Sequence, residues 1–413
     1  MNKFKIIFYY LLTFILLYRP FAILHLDSNM AVTLIVGLML IYDVLRGGKF
    51  ILCHIKNKYI FSFLIEIFLS AIYCAIVVAF NSNSTINIVD LRLIQHLLVV
   101  LYLFASLFII NGLKSNGYNK QKIIELILNV AFIQGIVCLI MLLFPSTRTV
   151  AINSFIRTTI FNENDYILRT RVYGLGDSYT YGIPIVNGLL TGLCFYYATN
   201  KNKKYFLFLP FIFLVSILNG RTGILIGLLS IFIMILFAKF NKKITAFFWG
   251  FSIVALFYLF INVIKVINPA MYSFINQLFS FTSTRTFNYL TNTALVFPSG
   301  WRFIFGTGAR VYGQLGLNTI GTSSDIGYVN YIFLGGIIYL LLYMGSFIKY
   351  FNKALKSDKK MTPYRYVFII SAFIACWKGE IFNNLNFVFL LFILSSLFLM
   401  KKKEDNDYDN KKK

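Results

Sequence analysis

NPAMYSFINQLFSFTSTRTFNYLTNTALVFPSGWRFIFGTGARVYGQLGLNTIGTSSDIGY, residues 268 to 328, is a polar stretch set between apolar runs that are each long enough to span a bilayer. Loops beyond roughly 15 residues are usually functional or disordered. This one carries Phe, Tyr and Trp throughout, with Gly306, Gly308, Gly313, Gly316 and Gly321 spaced for turns, so it reads as folded. Its Arg285, Arg302 and Arg310, followed by Asp325 at the edge of the next apolar run, form an expected anion-handling surface outside the membrane.

The chain around it has a mean hydropathy of +0.73. It is 58% hydrophobic and 13% charged, against about a quarter charged in soluble domains. That excludes a soluble globular protein and predicts an all-α polytopic membrane protein. Met1 to Lys5 lead directly into apolar residues with no small-residue cleavage site, which reads as a retained first helix. Cys53, Cys74, Cys138, Cys194 and Cys376 lie in apolar runs or one short basic loop, so structural disulfides are not expected, and C-x-x-C metal spacing is absent.

Twelve apolar runs begin near residues 6, 30, 59, 93, 123, 179, 205, 224, 244, 328, 364 and 381. Alternate connections are basic, which places both termini in the cytoplasm and the two long loops, 145–178 and 268–327, outside. Residues 1–400 are then one transmembrane domain and 401–413 a charged cytoplasmic tail. The inside segments hold 25 Lys and 2 Arg, whereas the other 12 basic residues are 10 Arg and 2 Lys. The positive-inside rule accounts for the lysines but not for arginine outside. A planar guanidinium makes bidentate bonds to phosphate, so this bias fits phosphate or pyrophosphate recognition. Loop-packing salt bridges and headgroup contacts are the plainer alternative.

Three constellations stand out. Leu218-Asn219-Gly220-Arg221-Thr222-Gly223-Ile224 reads as a tight hairpin with a helix starting at or beside Thr222. Arg221, a helix N-terminus and two glycines with accessible N–H groups would make an anion cradle; the alternative is a turn whose arginine snorkels. Arg-Val-Tyr-Gly occurs at Arg171 to Gly174 and again at Arg310 to Gly313, one copy in each long loop. Arg169, Arg171 and Tyr173 with Arg310 and Tyr312 could therefore clamp a glycan from two sides, although ordinary loop packing fits equally well. The outside carboxylates are Asp27, Asp90, Glu163, Asp165, Asp177, Asp325 and Glu380. Asp177 and Asp325 stand just before apolar runs, as a general base or as N-caps. Lys378 and Glu380 either reach the same space or pair with each other. Glu66, deep in the third run, is expected to pair with His96 or a nearby hydroxyl.

The chain resembles bacterial O-antigen or capsular polysaccharide polymerases, the Wzy type, within the O-antigen ligase/polymerase superfamily. The resemblance covers the layout of most of the chain. Locally it rests on Asn219-Gly220-Arg221-Thr222-Gly223 with Gly227, on Phe305-Gly306-Thr307-Gly308, and on Ser324-Asp325-Ile326-Gly327-Tyr328 before Gly335-Gly336. Arg171 to Gly182 and Arg302 to Gly313 also match an Arg-x10-Gly spacing. Unlike the related ligases, residues 268–327 contain no histidine.

What the resemblance implies is glycan transfer from undecaprenyl pyrophosphate to a sugar hydroxyl of another lipid-linked repeat, at the outer face of the bacterial inner membrane. Arginines would stabilise charge on the leaving group. The expected catalytic residues are Asp325, Asp177 and Arg221; the expected substrate contacts are Arg169, Arg171, Tyr173, Arg285, Arg302, Arg310, Tyr312, Lys378 and Glu380. No cofactor, metal or nucleic acid is expected. Partners would be the lipid-linked oligosaccharide, membrane lipids and a chain-length regulator protein. An O-antigen ligase and a flippase or transporter of lipid-linked sugars are the competing readings.

Overall fold

The computed structural model describes residues 3–20, 28–45, 47–81, 92–144, 146–147, 150–151, 171–172, 174–176, 181–238, 240–276, 295–308, 324–356, 358 and 361–411. Among them the regular structure is helical throughout. In chain order the helices are α1 (Lys3–Tyr18), α2 (Ser28–Leu45), α3 (Lys49–Ile55), α4 (Lys58–Asn81), α5 (Arg92–Ser115), α6 (Lys120–Leu143), α7 (Gly182–Asn200), α8 (Tyr205–Asn219), α9 (Arg221–Leu236), α10 (Phe240–Ile267), α11 (Pro269–Asn276), α12 (Trp301–Phe305), α13 (Gly327–Lys356), α14 (Thr362–Cys376) and α15 (Leu385–Lys411), with a 3-10 turn at Ile381–Asn383. A helix lies in each of the twelve apolar runs. Five segments are long and apolar enough to cross a membrane: Lys58–Asn81, Ile94–Ser115, Lys120–Leu143, Phe247–Ile267 and Gly327–Lys356. Shorter apolar helices fill the other runs except that of α7, where Asn187, Thr191 and three glycines dilute a helix that is buried along nearly its whole length. This is an all-α, multi-pass membrane protein.

Two compact units form. One comprises Met1–Val32, Ile109–Phe281 and Lys360–Ser371; the other comprises Thr33–Phe108, Thr282–Lys359 and Ala372–Lys413.

In the first unit, α7 and α9 approach until backbone meets backbone. A Cβ on Gly188 would come 2.6 Å from Gly223 O, and one on Gly192 would meet Ser230 Cβ at 2.5 Å. Gly223 is seated against the Pro184 carbonyl and Gly227 against the Phe213 ring. Small residues at a four-residue spacing permit this, because lipid tails give apolar side chains no reason to prefer a helix neighbour and contact must come from close van der Waals packing. The Arg-Thr-Gly start and Gly227 are thus packing surface as well as motif. Helix α8 contains Pro210, whose missing N–H interrupts the backbone ladder. Gly135 of α6 lets α6 approach the Phe211 carbonyl at that point. Phe132 stacks on Phe208 with centroids 4.0 Å apart.

In the second unit, α4 packs along α13 through Phe63, whose ring meets Phe347, Tyr350 and Phe392. Glu66 accepts Ser62 Oγ at 2.9 Å and pairs with Lys349 Nζ. The hydroxyl partner is as expected. His96 is not the second partner, because it is buried elsewhere against Tyr339. A lysine at that depth supplies the counter-charge a carboxylate needs in hydrocarbon. All five cysteines are free thiols; Cys53 is exposed and the others are buried.

Candidate functional site

In the first unit the chain passes from α8 to α9 through Gly220 alone, in extended conformation at φ −170°, ψ 131°. Arg221, the neighbour of Thr222, opens α9, as expected. The absence of a loop also changes the cradle. Gly220 N–H closes the last turn of α8 on Ser216 O at 3.0 Å, and Gly223 N–H closes the first turn of α9 on Gly220 O at 3.0 Å. Neither glycine offers an accessible donor, so that expectation is corrected. What the corner does offer is side chains.

Arg171 is one of them. Its Nη1 donates to Asn219 O at 2.7 Å, and Val172 N–H donates to Leu218 O at 3.4 Å, so the 171–172 segment lies along the end of α8. The guanidinium covers a terminal carbonyl of α8, where helix polarity favours a cation. It comes to rest two residues from Arg221. Both arginines are half-buried. Asn219 is fully buried; its Nδ2 bonds Val215 O at 2.9 Å, while its Oδ1 has no partner among the described residues.

The segment then dips into the bundle. Val172 O accepts the Cys138 thiol at 3.7 Å, and Leu175 N–H reaches Gln134 Oε1 at 3.4 Å. Gly174, at φ 63°, sits against the Gln134 amide. Gln134 is nine residues short of the end of α6 at Leu143, so the dip is about 13 Å deep at 1.5 Å per residue. Gly176 touches Tyr18 O, and Tyr18 Oη donates to Asn187 Oδ1 at 2.9 Å. Residues 174–176 thus pack into one end of the unit, beside buried amides and a tyrosine, with Arg171 and Arg221 at the corner above. Beneath the corner, an apolar cavity of about 300 Å³ runs along α8 between Leu139, Pro210, Leu214, Ile217, Phe257 and Phe260.

In the second unit the two glycine motifs, far apart in sequence, meet. Helix α13 is broken at Gly335 (φ −141°, ψ 19°) and Gly336 (φ 70°, ψ −173°). A break strands the carbonyls before it, and inside a membrane these must find donors within the protein. Thr307 N–H and Oγ1 both bond Phe333 O, at 2.7 and 2.8 Å, and Gly308 N–H bonds Leu334 O at 3.0 Å. Gly306 lies against Gly335 Cα, and Gly308 against Val78 of α4. The Phe305–Gly308 peptide therefore fills the break. Arg302, on short α12, is exposed with its guanidinium 5.6 Å from the Trp301 ring centroid.

At the start of α13, Ser324 Oγ accepts Ile326 N–H at 3.2 Å, and Asn330 Nδ2 donates to Ser324 O and Ile326 O. Ser324, not Asp325, supplies the side-chain oxygen at this turn. Asp325 is half-buried and makes no cap bond among the described residues. Gly327 packs on the Gly379 carbonyl, so this turn is seated against the one bearing Lys378 and Glu380. Glu380 is buried and receives Asn383 Nδ2. Asn383 in turn accepts Tyr343 Oη at 2.9 Å through Oδ1 and Gln95 Nε2 at 2.8 Å through its backbone carbonyl. His96, 4% exposed, stands 3.3 Å from Tyr339 Oη and beside the Tyr343 ring. No local sequence signal points to these partners of His96, which sit some 240 positions away.

Of the expected site residues, Arg171 and Arg221 come together in one unit, and Asp325, Lys378 and Glu380 in the other, where Arg302 also lies on the surface. Asp177, Arg169, Tyr173, Arg285, Arg310 and Tyr312 lie outside the described residues. Among the described residues no group of three or more His, Cys, Asp or Glu side chains is placed to hold a metal ion. No known protein family, curated protein or solved structure matches this chain.

Proposed function

We propose that this protein polymerises lipid-linked oligosaccharide repeats into O-antigen or capsular polysaccharide, transferring the growing glycan from undecaprenyl pyrophosphate to an acceptor sugar hydroxyl. The setting proposed is a twelve-span protein of the bacterial inner membrane, with both termini cytoplasmic and the long loops outside.

The observation that carries this reading is the arginine corner at the α8–α9 junction. The Arg171 guanidinium is fixed there to Asn219 O, two residues from Arg221, at one end of an apolar helical unit, where a lipid phosphate would sit. A polyprenyl tail has a matching place: the apolar cavity along α8 reaches Ile217, two residues before Asn219. Arginine suits the role because charge builds on the departing pyrophosphate, and preorganised donors lower that barrier without rearranging.

A second reading, transport of a lipid-linked glycan, draws support from the break in α13, since discontinuous helices mark transporter sites. Here, however, the protein's own Phe305–Gly308 peptide occupies that break. Purified wild type, Arg221→Lys and Arg221→Ala, given lipid-linked repeats, decide between them. Polymer from wild type, a marked loss in Arg221→Lys and a near-complete loss in Arg221→Ala at equal folded yield are expected. Transbilayer movement of the substrate without polymer overturns the polymerase reading. Full activity of Arg221→Lys reduces Arg221 to a membrane anchor.

A further inference from the structure

The chain from Leu295 to Phe305 lies within the long loop expected outside the membrane, yet its surface is apolar. Leu295, Phe297, Trp301, Ile304 and Phe305 are all exposed, Trp301 to 56% and Phe305 to 47%. Single exposed apolar side chains are ordinary, but five in so short a segment mark an interaction surface. The lone charge among them is Arg302, whose guanidinium lies 5.6 Å from the Trp301 ring centroid.

Two helices of the same unit measure the height of this segment. Lys58, which opens α4, and Lys353, in the last turn of α13, both stand over the Tyr59 ring, 5.4 and 5.9 Å from its centroid. They set one level, that of a membrane boundary, where lysine heads reach water. At the other end, Phe305 O accepts Tyr73 Oη at 3.3 Å, and Ile304 O lies against Gly336. Tyr73 is 15 residues from Lys58 and Gly336 is 17 from Lys353. At about 1.5 Å per residue the 304–305 peptide therefore stands about 22–26 Å from the lysine level. A hydrocarbon core about 30 Å thick puts it roughly 4–8 Å inside the opposite boundary, and helix tilt only takes it deeper. The backbone is equipped for that depth. Phe303 N–H bonds Gly300 O at 3.1 Å, Gly306 N–H bonds Arg302 O at 2.8 Å, and the next two N–H groups bond α13, so these groups do not depend on water.

We propose that residues 295–305 are an interfacial element embedded in the leaflet remote from Lys58 and Lys353, with lipid as the partner of its apolar face. Trp301, Ile304 and Phe305 enter the acyl chains, and Arg302 stays with the headgroups over the Trp301 ring. Lipid fits this face better than a protein does, because its depth is that of the headgroup–acyl boundary and its one charge is an arginine beside a tryptophan, a pairing suited to that boundary. The peptide that fills the α13 break is then held by α13 on one side and by the bilayer on the other. This surface is independent of the polymerase reading.

The test uses the full chain in phosphatidylcholine–phosphatidylglycerol vesicles, with Trp249→Phe and Trp377→Phe leaving Trp301 as the sole tryptophan. Lipids brominated in the upper half of the acyl chain should quench its fluorescence about twofold more than lipids brominated near the chain end, and acrylamide should quench it several-fold less than tryptophan in solution. Strong acrylamide quenching without quenching by lipid puts the segment in water and overturns the proposal. Protection from both puts the face under protein and overturns it equally, and stronger quenching from the chain end overturns the depth. Ile304→Cys in a Cys53→Ser background, spin-labelled with all three tryptophans in place, reads the same face independently of how the tryptophan variants fold. Oxygen, which concentrates in hydrocarbon, should relax that label more than a water-soluble nickel chelate does; the reverse order overturns the proposal.

Discussion

Gly336→Ala should force the Phe305–Gly308 peptide out of α13. Gly336 has φ 70°, and a Cβ there would land on the Ile304 carbonyl. With ψ −173° this backbone lies in a region essentially reserved for glycine, at a cost to another residue of about 1–3 kcal/mol. The overlap is with main chain, so it is relieved only by moving the peptide, at the loss of Thr307 N–H to Phe333 O and Gly308 N–H to Leu334 O. Those bonds are lost on withdrawal in wild type and variant alike, so the strain of the seated state alone sets the shift. About 1–3 kcal/mol of strain corresponds to a roughly 5- to 140-fold rise in the population of the withdrawn state, at tenfold per 1.4 kcal/mol. Thr307→Cys in a Cys53→Ser background reports it, because a thiol at 307 reacts with maleimide only when the peptide is out. The labelling rate should rise at least about fivefold with Gly336→Ala. Gly345→Ala, with nothing within 4 Å of its Cβ, should leave the rate unchanged and raise stability by up to about 1 kcal/mol. An unchanged labelling rate in Gly336→Ala would refute the account of the break as filled by this peptide.

Two further outcomes are expected. Gly223→Ala should destabilise the first unit by about 1–3 kcal/mol, because its Cβ meets the Pro184 backbone and α7 and α9 must separate; a thermal midpoint equal to wild type in detergent contradicts the crossing. Single cysteines at Ser299 and Asn202, both exposed, should react oppositely in intact cells, Ser299→Cys with an impermeant reagent and Asn202→Cys only after permeabilisation; the reverse pattern inverts the proposed orientation.

The helices were legible in the sequence because hydrocarbon allows so little else: every apolar run became a helix, since unpaired backbone polar groups have no water to turn to. Their lengths were less legible. The run after Lys5 ends as α1 at Tyr18 because Arg19 leaves the helical region before Pro20, and α8 and α9 are divided by a single glycine. Motif content was visible while motif partnership was not. Phe305-Gly306-Thr307-Gly308 and Gly335-Gly336 could each be picked out, yet nothing local says that one supplies the donors the other lacks. Ser324 and Asp325 are alike as cap candidates in sequence, and only the hydrogen bond to Ile326 N–H separates them. His96 was passed over for the same reason, its tyrosine partners being distant in the chain.

The arginines show where the two kinds of evidence join. Charge type along the chain separated lysine-rich from arginine-rich connections without saying which arginines act together. The hydrogen bond from Arg171 to Asn219 O brings a loop residue to a helix junction 48 positions away. Arginine at a bilayer boundary needs no explanation beyond headgroups when it stands alone and can snorkel. Arg171, half-buried with its Nη1 fixed to the Asn219 carbonyl at a helix terminus, has given up the freedom that snorkelling requires. A fixed cation of that kind suits the proposed membrane-anchored phosphate, because a rigid guanidinium loses little entropy on engaging its anion and a mobile one loses much.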